Sequence, residues 1–157
     1  MKVEEMSSFF DARVSGYDAH MLDTVKGCAQ GYQMMANYVP EGANRLLDLG
    51  CGTGLQLEAI FKKIPEIQVT GIDLCKSMLK QLSEKFSQKA IRLIQGSYFD
   101  VPFEPEHFDV ALSFQTLHHF KKEKKLTLYK KIFNALEEGG IYLECDYMVE
   151  VQEIEDE

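Results

Sequence analysis

A glycine-rich turn directly after an apolar run is the feature that most constrains the fold of this chain. Leu46–Leu49 is a short, largely apolar segment of the kind that forms a strand buried on both faces of a sheet, and Gly50, Gly52 and Gly54 follow it. Glycine adopts backbone angles that other residues avoid and leaves no side chain between the main chain and a ligand. The pattern therefore predicts a strand, a tight turn, and a helix that begins near Thr53.

Alternating strand and helix patterns predict the rest of the architecture. After a helical periodicity that ends at Pro40, amphipathic stretches of helical length are separated by short apolar runs. These runs are Val69–Ile72, Ile91–Ile94, Phe108–Ser113 and Ile141–Cys145. Strands that alternate with helices in this way are joined by right-handed crossovers and form a parallel sheet with helices on both faces. An α/β, doubly wound fold is therefore expected.

The helix before the final strand is expected to end at a pair of glycines. Its apolar positions are Leu126, Tyr129, Ile132, Phe133 and Leu136. Gly139–Gly140 follows them, and glycine just beyond the last periodic residue is a strong C-terminal signal for a helix. We therefore predict that the helix includes Leu136 and that the last strand begins after the glycines.

An acidic residue ends the second predicted strand, about 20 residues after the glycine turn. From this position, Asp73 is expected to accept charge-assisted hydrogen bonds from both hydroxyls of a ribose. Parallel sheets bind ligands beyond the carboxyl ends of their strands, where the strand order reverses. The glycine turn, Asp73, Ser97–Tyr98 and Ser113–Gln115 all fall at predicted strand ends. They are therefore expected to form one nucleoside site.

The spacing of the glycines separates two classes of nucleoside cofactor. The dinucleotide fingerprint G-x-G-x-x-G requires glycine or alanine at position 55, where this chain has Leu55. With Asp48 ahead of the glycines, the run Asp48–Gly54 resembles the first motif of the class I S-adenosylmethionine-dependent methyltransferases. Gln95–Phe103 and Phe108–Phe120 are similar to later motifs of that family, in order. The resemblance covers nearly the whole chain.

The resemblance implies a Rossmann-like, mostly parallel sheet of strand order 3-2-1-4-5 and S-adenosyl-L-methionine as the cofactor. The cofactor-binding residues that it implies are Asp48, Gly50, Cys51, Gly52, Gly54, Asp73, Leu74, Ser97, Tyr98, Ser113 and Gln115. Asp48 would support the amino group of the cofactor, and Asp73 would hold the ribose. Leu74 and Tyr98 would flank the adenine. Cys51 is expected to be a packing residue inside the turn, not a nucleophile.

This chain departs from the family pattern in two places. Ser97 stands where the family commonly has an aspartate that accepts a hydrogen bond from the adenine, so we expect a weaker contact there. The family's sheet usually finishes with two more strands, one of them antiparallel, whereas this chain ends in Val151–Glu157, so we expect either a truncated sheet or another element that covers its edge. In a truncated sheet the last strand would be an exposed edge, through which two copies of the chain could pair.

One domain over residues 1–157 is expected, with a helical N-terminal lid or cap at 1–40, a cofactor-binding core at 41–149 and an acidic tail at 150–157. The lid would use Phe10 and Tyr17 to exclude water and Arg13 to meet an anionic substrate, and the alternative is a plain helix packed on the domain. No catalytic residue is assigned. His118 is the candidate base, needed only if the acceptor must lose a proton.

Composition narrows the expected partners. The net charge of −8 argues against nucleic acid, and the four cysteines form no C-x-x-C pair, so a metal site has no support. No apolar run is long enough to span a membrane and no signal peptide is visible, which predicts a cytoplasmic protein. The expected function is methyl transfer to an unidentified small-molecule acceptor. Cofactor binding without turnover and a nucleotide-dependent oxidoreductase are the alternatives.

Overall fold

A five-stranded sheet forms the centre of the molecule. The computed structural model describes residues 28–114 and 120–145. Its strands are β1 (Arg45–Leu49), β2 (Gln68–Asp73), β3 (Ile91–Gln95), β4 (Phe108–Phe114) and β5 (Leu136–Cys145), and its helices are α1 (Cys28–Tyr38), α2 (Leu55–Lys63), α3 (Lys76–Lys85) and α4 (Lys122–Ala135). The strand order is β3-β2-β1-β4-β5, and every neighbouring pair is parallel. The predicted fold class and strand order are confirmed.

Helices cover both faces of the sheet because successive side chains of a strand point to opposite faces. On one face, Leu46 of β1 belongs to a buried cluster with Met35 of α1, Ile60 of α2 and Leu82 of α3. On the other face, Leu47 belongs to a second cluster that includes the buried residues of α4. The central strand is therefore apolar in both directions, as its sequence predicts.

The boundary between α4 and β5 differs from the sequence prediction. The helix ends at Ala135, and Leu136 already has extended backbone angles, φ −81° and ψ 139°. Phe108 pairs with Leu136, whereas Val110 pairs with Ile141, so the register between β4 and β5 shifts at the glycine pair. The prediction of a helix that includes Leu136 was wrong because these glycines lie in a strand irregularity and do not end the helix.

The buried face of α4 also differs from the predicted one. The side chains that α4 buries are those of Leu128, Ile132 and Ala135, which have helical spacing. Leu126 and Phe133, which were predicted to lie on the apolar face, are 55% and 78% exposed. Apolar residues of α4 therefore lie on two adjacent faces of the helix. The face with Leu128 packs against the sheet, and the face with Leu126 and Phe133 is exposed.

Several predicted features lie outside the described residues. They are the lid residues Phe10, Arg13 and Tyr17, the site candidates Gln115 and His118, and the acidic tail at 150–157. Within the two described ranges, none of the helices has both the length and the apolar character that crossing a bilayer requires. At the edges of the described sheet lie β3 and β5.

Candidate functional site

The structure places the glycine turn, Asp73 and the segment after β3 side by side. The amide of Gly50 donates to the carbonyl oxygen of Ile72 at 2.8 Å, so the turn lies against the end of β2. The amide of Gly96 donates to the carbonyl oxygen of Asp73 at 2.9 Å, which brings the next loop to the same edge. β1 lies between β2 and β4, where the strand order reverses. This is the position at which parallel sheets bind ligands.

All three glycines of the turn have left-handed backbone angles. The φ values are 71° at Gly50, 55° at Gly52 and 80° at Gly54, a region in which residues with a Cβ are strained. A Cβ on Gly54 would also lie 3.0 Å from side-chain atoms of Leu82 and Phe86. The turn therefore needs glycine for its conformation at each of the three positions and, at Gly54, for the close approach of α3.

Asp73 connects the turn to the end of β2. Its carboxylate accepts a hydrogen bond from the amide of Gly52 at 2.8 Å and another from the amide of Cys75 at 2.9 Å. The side chain is partly exposed, and a carboxylate oxygen can accept more than one hydrogen bond, so this carboxylate has the capacity to accept from a ligand as well. Main-chain donors thus orient the carboxylate at the place where the sequence predicts a ribose.

Asp48 is a buried acid with an unpartnered oxygen. Its side chain is fully buried, Oδ2 accepts a hydrogen bond from Nε2 of Gln56 at 2.7 Å, and Oδ1 has no partner. Burial raises the pKa of Asp48 from 3.8 to about 8. The hydrogen bond from Gln56 lowers this pKa, and the negative charge of Asp73 raises it further. The carboxyl is therefore mostly protonated at neutral pH, and a cation brought near it would lower its pKa.

Gln56 is a site residue that sequence reasoning missed, and Gly71, two residues before Asp73, is one to which sequence reasoning gave no role. Gln56 is buried in the first turn of α2, where it also donates to the carbonyl oxygen of Cys51 at 3.3 Å. No signal in a single sequence distinguishes it from a solvated glutamine. A Cβ on Gly71 would lie 2.9 Å from Sγ of Cys51, so the turn and β2 approach closely there. A glycine inside an apolar strand is a sequence signal for such an approach.

Cys51 lies in the core beneath the turn. Its side chain is buried, and burial raises the pKa of the thiol well above its ordinary value, an effect that the charges of Asp48 and Asp73 reinforce. A thiolate is therefore disfavoured at this position, and the thiol is not a ready nucleophile. The geometry supports the packing role that the sequence indicates.

The residues after β3 form a tight turn of their own. The Oγ atom of Ser97 accepts a hydrogen bond from the amide of Phe99 at 3.2 Å. The ring of Tyr98 is buried, and its centre lies 5.2 Å from that of Phe99 and 6.1 Å from that of Phe120. Leu74 is partly exposed at the end of β2. The predicted adenine contacts of Ser97, Tyr98 and Leu74 stay predictions.

Ser113 is at the carboxyl end of β4 but belongs to a different network. Its side chain is buried, and its Oγ atom lies 2.7 Å from the hydroxyl oxygen of Tyr142. Tyr142 donates to Oε1 of Glu144 at 2.9 Å, and Tyr129 donates to the same oxygen at 2.7 Å. The hydroxyl of Ser113 therefore faces Tyr142 of β5, and its predicted contact with the cofactor stays a prediction.

The comparison with protein families defines the class of protein. The profile described as a methyltransferase domain matches residues 46–140, from the start of the glycine motif to the end of the glycine pair in β5. The matched range includes most of β1, all of β2 to β4, the turn, Asp73 and the loop after β3. The chain belongs to this methyltransferase domain family.

Individual relatives have different names. A carboxy-S-adenosyl-L-methionine synthase of Campylobacter lari is 28% identical over 142 residues, which cover 85% of this chain and 59% of that protein. A malonyl-acyl-carrier protein O-methyltransferase of Priestia megaterium is 27% identical over 136 residues, which cover 85% of this chain and 48% of that protein. This chain thus spans about half to three fifths of the length of these two relatives.

Solved structures share the fold. A DhpI–SAM–HEP complex has a TM-score of 0.78 at 19% identity, covering 98% of this chain and 70% of that chain. The 4+2 cyclase SpnF has a TM-score of 0.72 at 20% identity, covering 91% of this chain and 60% of that chain. At these identities the likeness concerns the fold alone.

Proposed function

We propose that this protein binds S-adenosyl-L-methionine at the carboxyl edge of the sheet and transfers its methyl group to a small-molecule acceptor. The observation that carries the proposal is the arrangement of three left-handed glycines, with Gly52 donating to the carboxylate of Asp73 at 2.8 Å. This arrangement offers bare main chain beside an oriented acid, which suits a nucleoside. Membership of the methyltransferase domain family supports it.

The residues of the site fit this cofactor. When bound, S-adenosylmethionine supplies a methyl group that is activated by a sulfonium charge. Gly50 and Gly52 leave room for the methionine part, and Asp73 accepts from the ribose hydroxyls. The unpartnered Oδ1 atom of Asp48 suits the cofactor's amino group, because a buried oxygen without a donor gains a hydrogen bond from an ammonium. Leu74 would pack on the adenine.

Methyl transfer requires little from the protein beyond placement. Positive charge spreads from the sulfonium toward the acceptor in the transition state, so positioning and the exclusion of water supply most of the acceleration. The glycine turn and Asp73 would fix the donor, and the predicted lid with Phe10, Arg13 and Tyr17 would close over it. A base is needed only for an acceptor that must lose a proton, and His118 is the proposed candidate.

The acceptor is proposed only as a small molecule. The two relatives described above are named for different reactions, so their names do not define one acceptor for this chain. The net charge of −8 disfavours nucleic acid. The oxidoreductase alternative loses its support because the family match is to a methyltransferase domain. A cytoplasmic location and pairing of two copies through the β5 edge stay predictions.

Cofactor binding without methyl transfer is the second candidate. The observation that favours it is the site itself, because the left-handed glycine turn and the oriented carboxylate of Asp73 account for binding and neither requires that the methyl group be transferred. Fold alone does not define a reaction. The two candidates share a site and differ only in turnover.

Calorimetric titration of the full chain tests both candidates. S-Adenosylmethionine and S-adenosylhomocysteine are expected to bind, and NAD is not. Incubation with radiolabelled S-adenosylmethionine and a panel of small-molecule acceptors then measures methyl transfer. Binding with transfer supports the first candidate, and binding with no transfer to any acceptor supports the second. If neither adenosyl compound binds, both are wrong.

A further inference from the structure

A lysine of α4 reaches across to the turn that follows β3. The Nζ atom of Lys131 donates to the carbonyl oxygen of Tyr98 at 2.8 Å and also to that of Val101. It lies 4.2 Å from the centre of the Phe103 ring, which is a cation–π contact. One ammonium group therefore contacts the segment from Tyr98 to Phe103 at three points.

The other hydrogen bonds described for this turn are internal to it. The amides of Asp100 and Val101 both donate to the carbonyl oxygen of Ser97 at 2.9 Å. The amide of Phe99 donates to the Ser97 hydroxyl oxygen at 3.2 Å. These bonds fix the shape of the turn, whereas the bonds from Lys131 fix its position on α4. Hydrogen bonds from the charged ammonium of Lys131 are stronger than hydrogen bonds between neutral groups.

Lys131 gives up hydration to make these contacts. Its side chain is partly buried, and burial lowers the pKa of its amine, an effect that the nearby charge of Asp100 opposes. Lys130, the preceding residue of the same helix, is exposed. Because Lys131 is partly buried and donates to two main-chain oxygens, it restrains the position of the turn after β3.

We propose that Lys131 is a positioning residue that sets the main chain of Ser97 and Tyr98 where the adenine of the cofactor binds. The inference rests on the proposed function, because that function places the nucleoside beside Asp73. The turn starts directly after Gly96, whose amide donates to the carbonyl oxygen of Asp73 at 2.9 Å. A displaced turn would therefore change the separation between the ribose and adenine contacts.

The test measures how lysine variants of the full chain bind S-adenosylhomocysteine and adenosine by calorimetry. Lys131→Met keeps the aliphatic stem but removes the donor, and it should weaken both ligands by about tenfold, because the turn loses the two charge-assisted bonds that hold it in the binding position. Adenosine should show the same factor because the defect is at the adenine end. Lys131→Arg keeps a charged donor, so its affinities should return to within about threefold of wild type.

Lys63→Met is the matched control. The Nζ atom of Lys63 also donates to main-chain oxygens, those of Ala36 and Asn37 at 3.1 Å each and that of Val39 at 2.5 Å, but at the end of α1. This variant should lower the melting temperature and leave the affinity for adenosine unchanged. Lys130→Met should change neither, because its side chain is exposed.

A melting temperature that falls in Lys131→Met while both Kd values stay at wild type would show that Lys131 is only a structural contact, and the inference would be wrong. If that variant does not fold, Lys131→Gln replaces it, because the amide retains a neutral donor, and unchanged Kd values in Lys131→Gln would overturn the inference in the same way. Wild-type chain that binds neither ligand would overturn the proposed function, and the role of Lys131 with it. The two failures are thus distinguishable.

Discussion

The two sides of β1 are organised differently. Toward β2, the main chain forms the candidate site, because three glycines have left-handed angles and Asp73 accepts hydrogen bonds from backbone amides. Toward β4 and β5, side chains form the contacts, because Ser113, Tyr142 and Glu144 are joined by hydrogen bonds and Tyr129 of α4 donates to the same oxygen of Glu144. A left-handed backbone angle restricts which residues fit, so the β2 side can be predicted from the sequence. Contacts between side chains that are distant in the sequence leave no such pattern and cannot be predicted in this way.

Gly54→Ala should have the largest effect on the β2 side. Alanine at φ 80° is strained, and its Cβ would lie 3.0 Å from atoms of Leu82 and Phe86. We expect the free energy of unfolding to fall by about 3 kcal/mol, combining backbone strain with overpacking. Urea unfolding measures it.

Gly139→Ala is the control for Gly54→Ala. Gly139 has φ 83°, almost the same angle, but a Cβ there would meet nothing within 4 Å. Only the backbone strain should remain, so the expected loss is about 1 kcal/mol. Equal losses in the two variants would mean that the contact between α3 and the turn does not constrain position 54.

Asp73→Ala should weaken the binding of S-adenosylhomocysteine by about 1.5–3 kcal/mol, because a charged hydrogen-bond partner of the ribose is removed. Asp109→Ala is the matched control at the opposite end of the sheet. Its carboxylate also accepts from two backbone amides, those of Asn44 at 2.7 Å and Arg45 at 3.1 Å. This control should lower stability and leave the Kd unchanged. If Asp73→Ala and Asp109→Ala changed the Kd equally, the proposal that Asp73 binds the ribose would be wrong.

Asp48 should give the protein a pH-dependent stability. The carboxyl has an ordinary pKa of 3.8 and a folded-state pKa of about 8, so the unfolded chain releases its proton between these values while the folded chain keeps it. The free energy of unfolding should therefore fall as the pH rises through this window, by about 1.4 kcal/mol per pH unit from this group.

Asp48→Asn is the variant that isolates this contribution, because it keeps the shape of the side chain and removes the titration. The difference in unfolding free energy between wild type and variant should change steadily from pH 5 to pH 7, measured by urea unfolding at each pH. A difference that does not change with pH would contradict a protonated Asp48 in the folded state.

Phe133→Ala should have the smallest effect. The side chain is 78% exposed on α4, so the expected change in unfolding free energy is within about 0.5 kcal/mol. Leu128→Ala, on the buried face of the same helix, should cost about 2–5 kcal/mol. A large loss for Phe133→Ala would show that the apolar face predicted from the sequence is in contact after all, for example with another copy of the chain.

The sequence predicted the fold well because β1 to β4 are short, largely apolar runs bounded by turn residues. The sequence also predicted the tight turn at Gly50, Gly52 and Gly54, because residues other than glycine rarely adopt the left-handed angles found there. The helix end was wrong because Gly139–Gly140 suits a strand irregularity as well as a helix terminus, and only the pairing of β4 with β5 selects between them.

Buried polar partners could not be predicted from one sequence. Gln56 contacts Asp48 and Lys131 contacts Tyr98, and each pair depends on how two elements pack against one another. Glutamine and lysine at helical positions are most often exposed, so neither residue type gives a signal. Such contacts follow from tertiary structure and not from local pattern.

The most direct test of the central proposal is an NMR titration of the isotope-labelled full chain with S-adenosylhomocysteine. The proposal predicts that the backbone amide resonances of Gly50, Gly52, Gly54 and Cys75 shift and saturate with the Kd found by calorimetry, because the ligand lies on the turn and on Asp73. Binding that leaves these four amides unchanged, or shifts confined to α4 and β5, would contradict it.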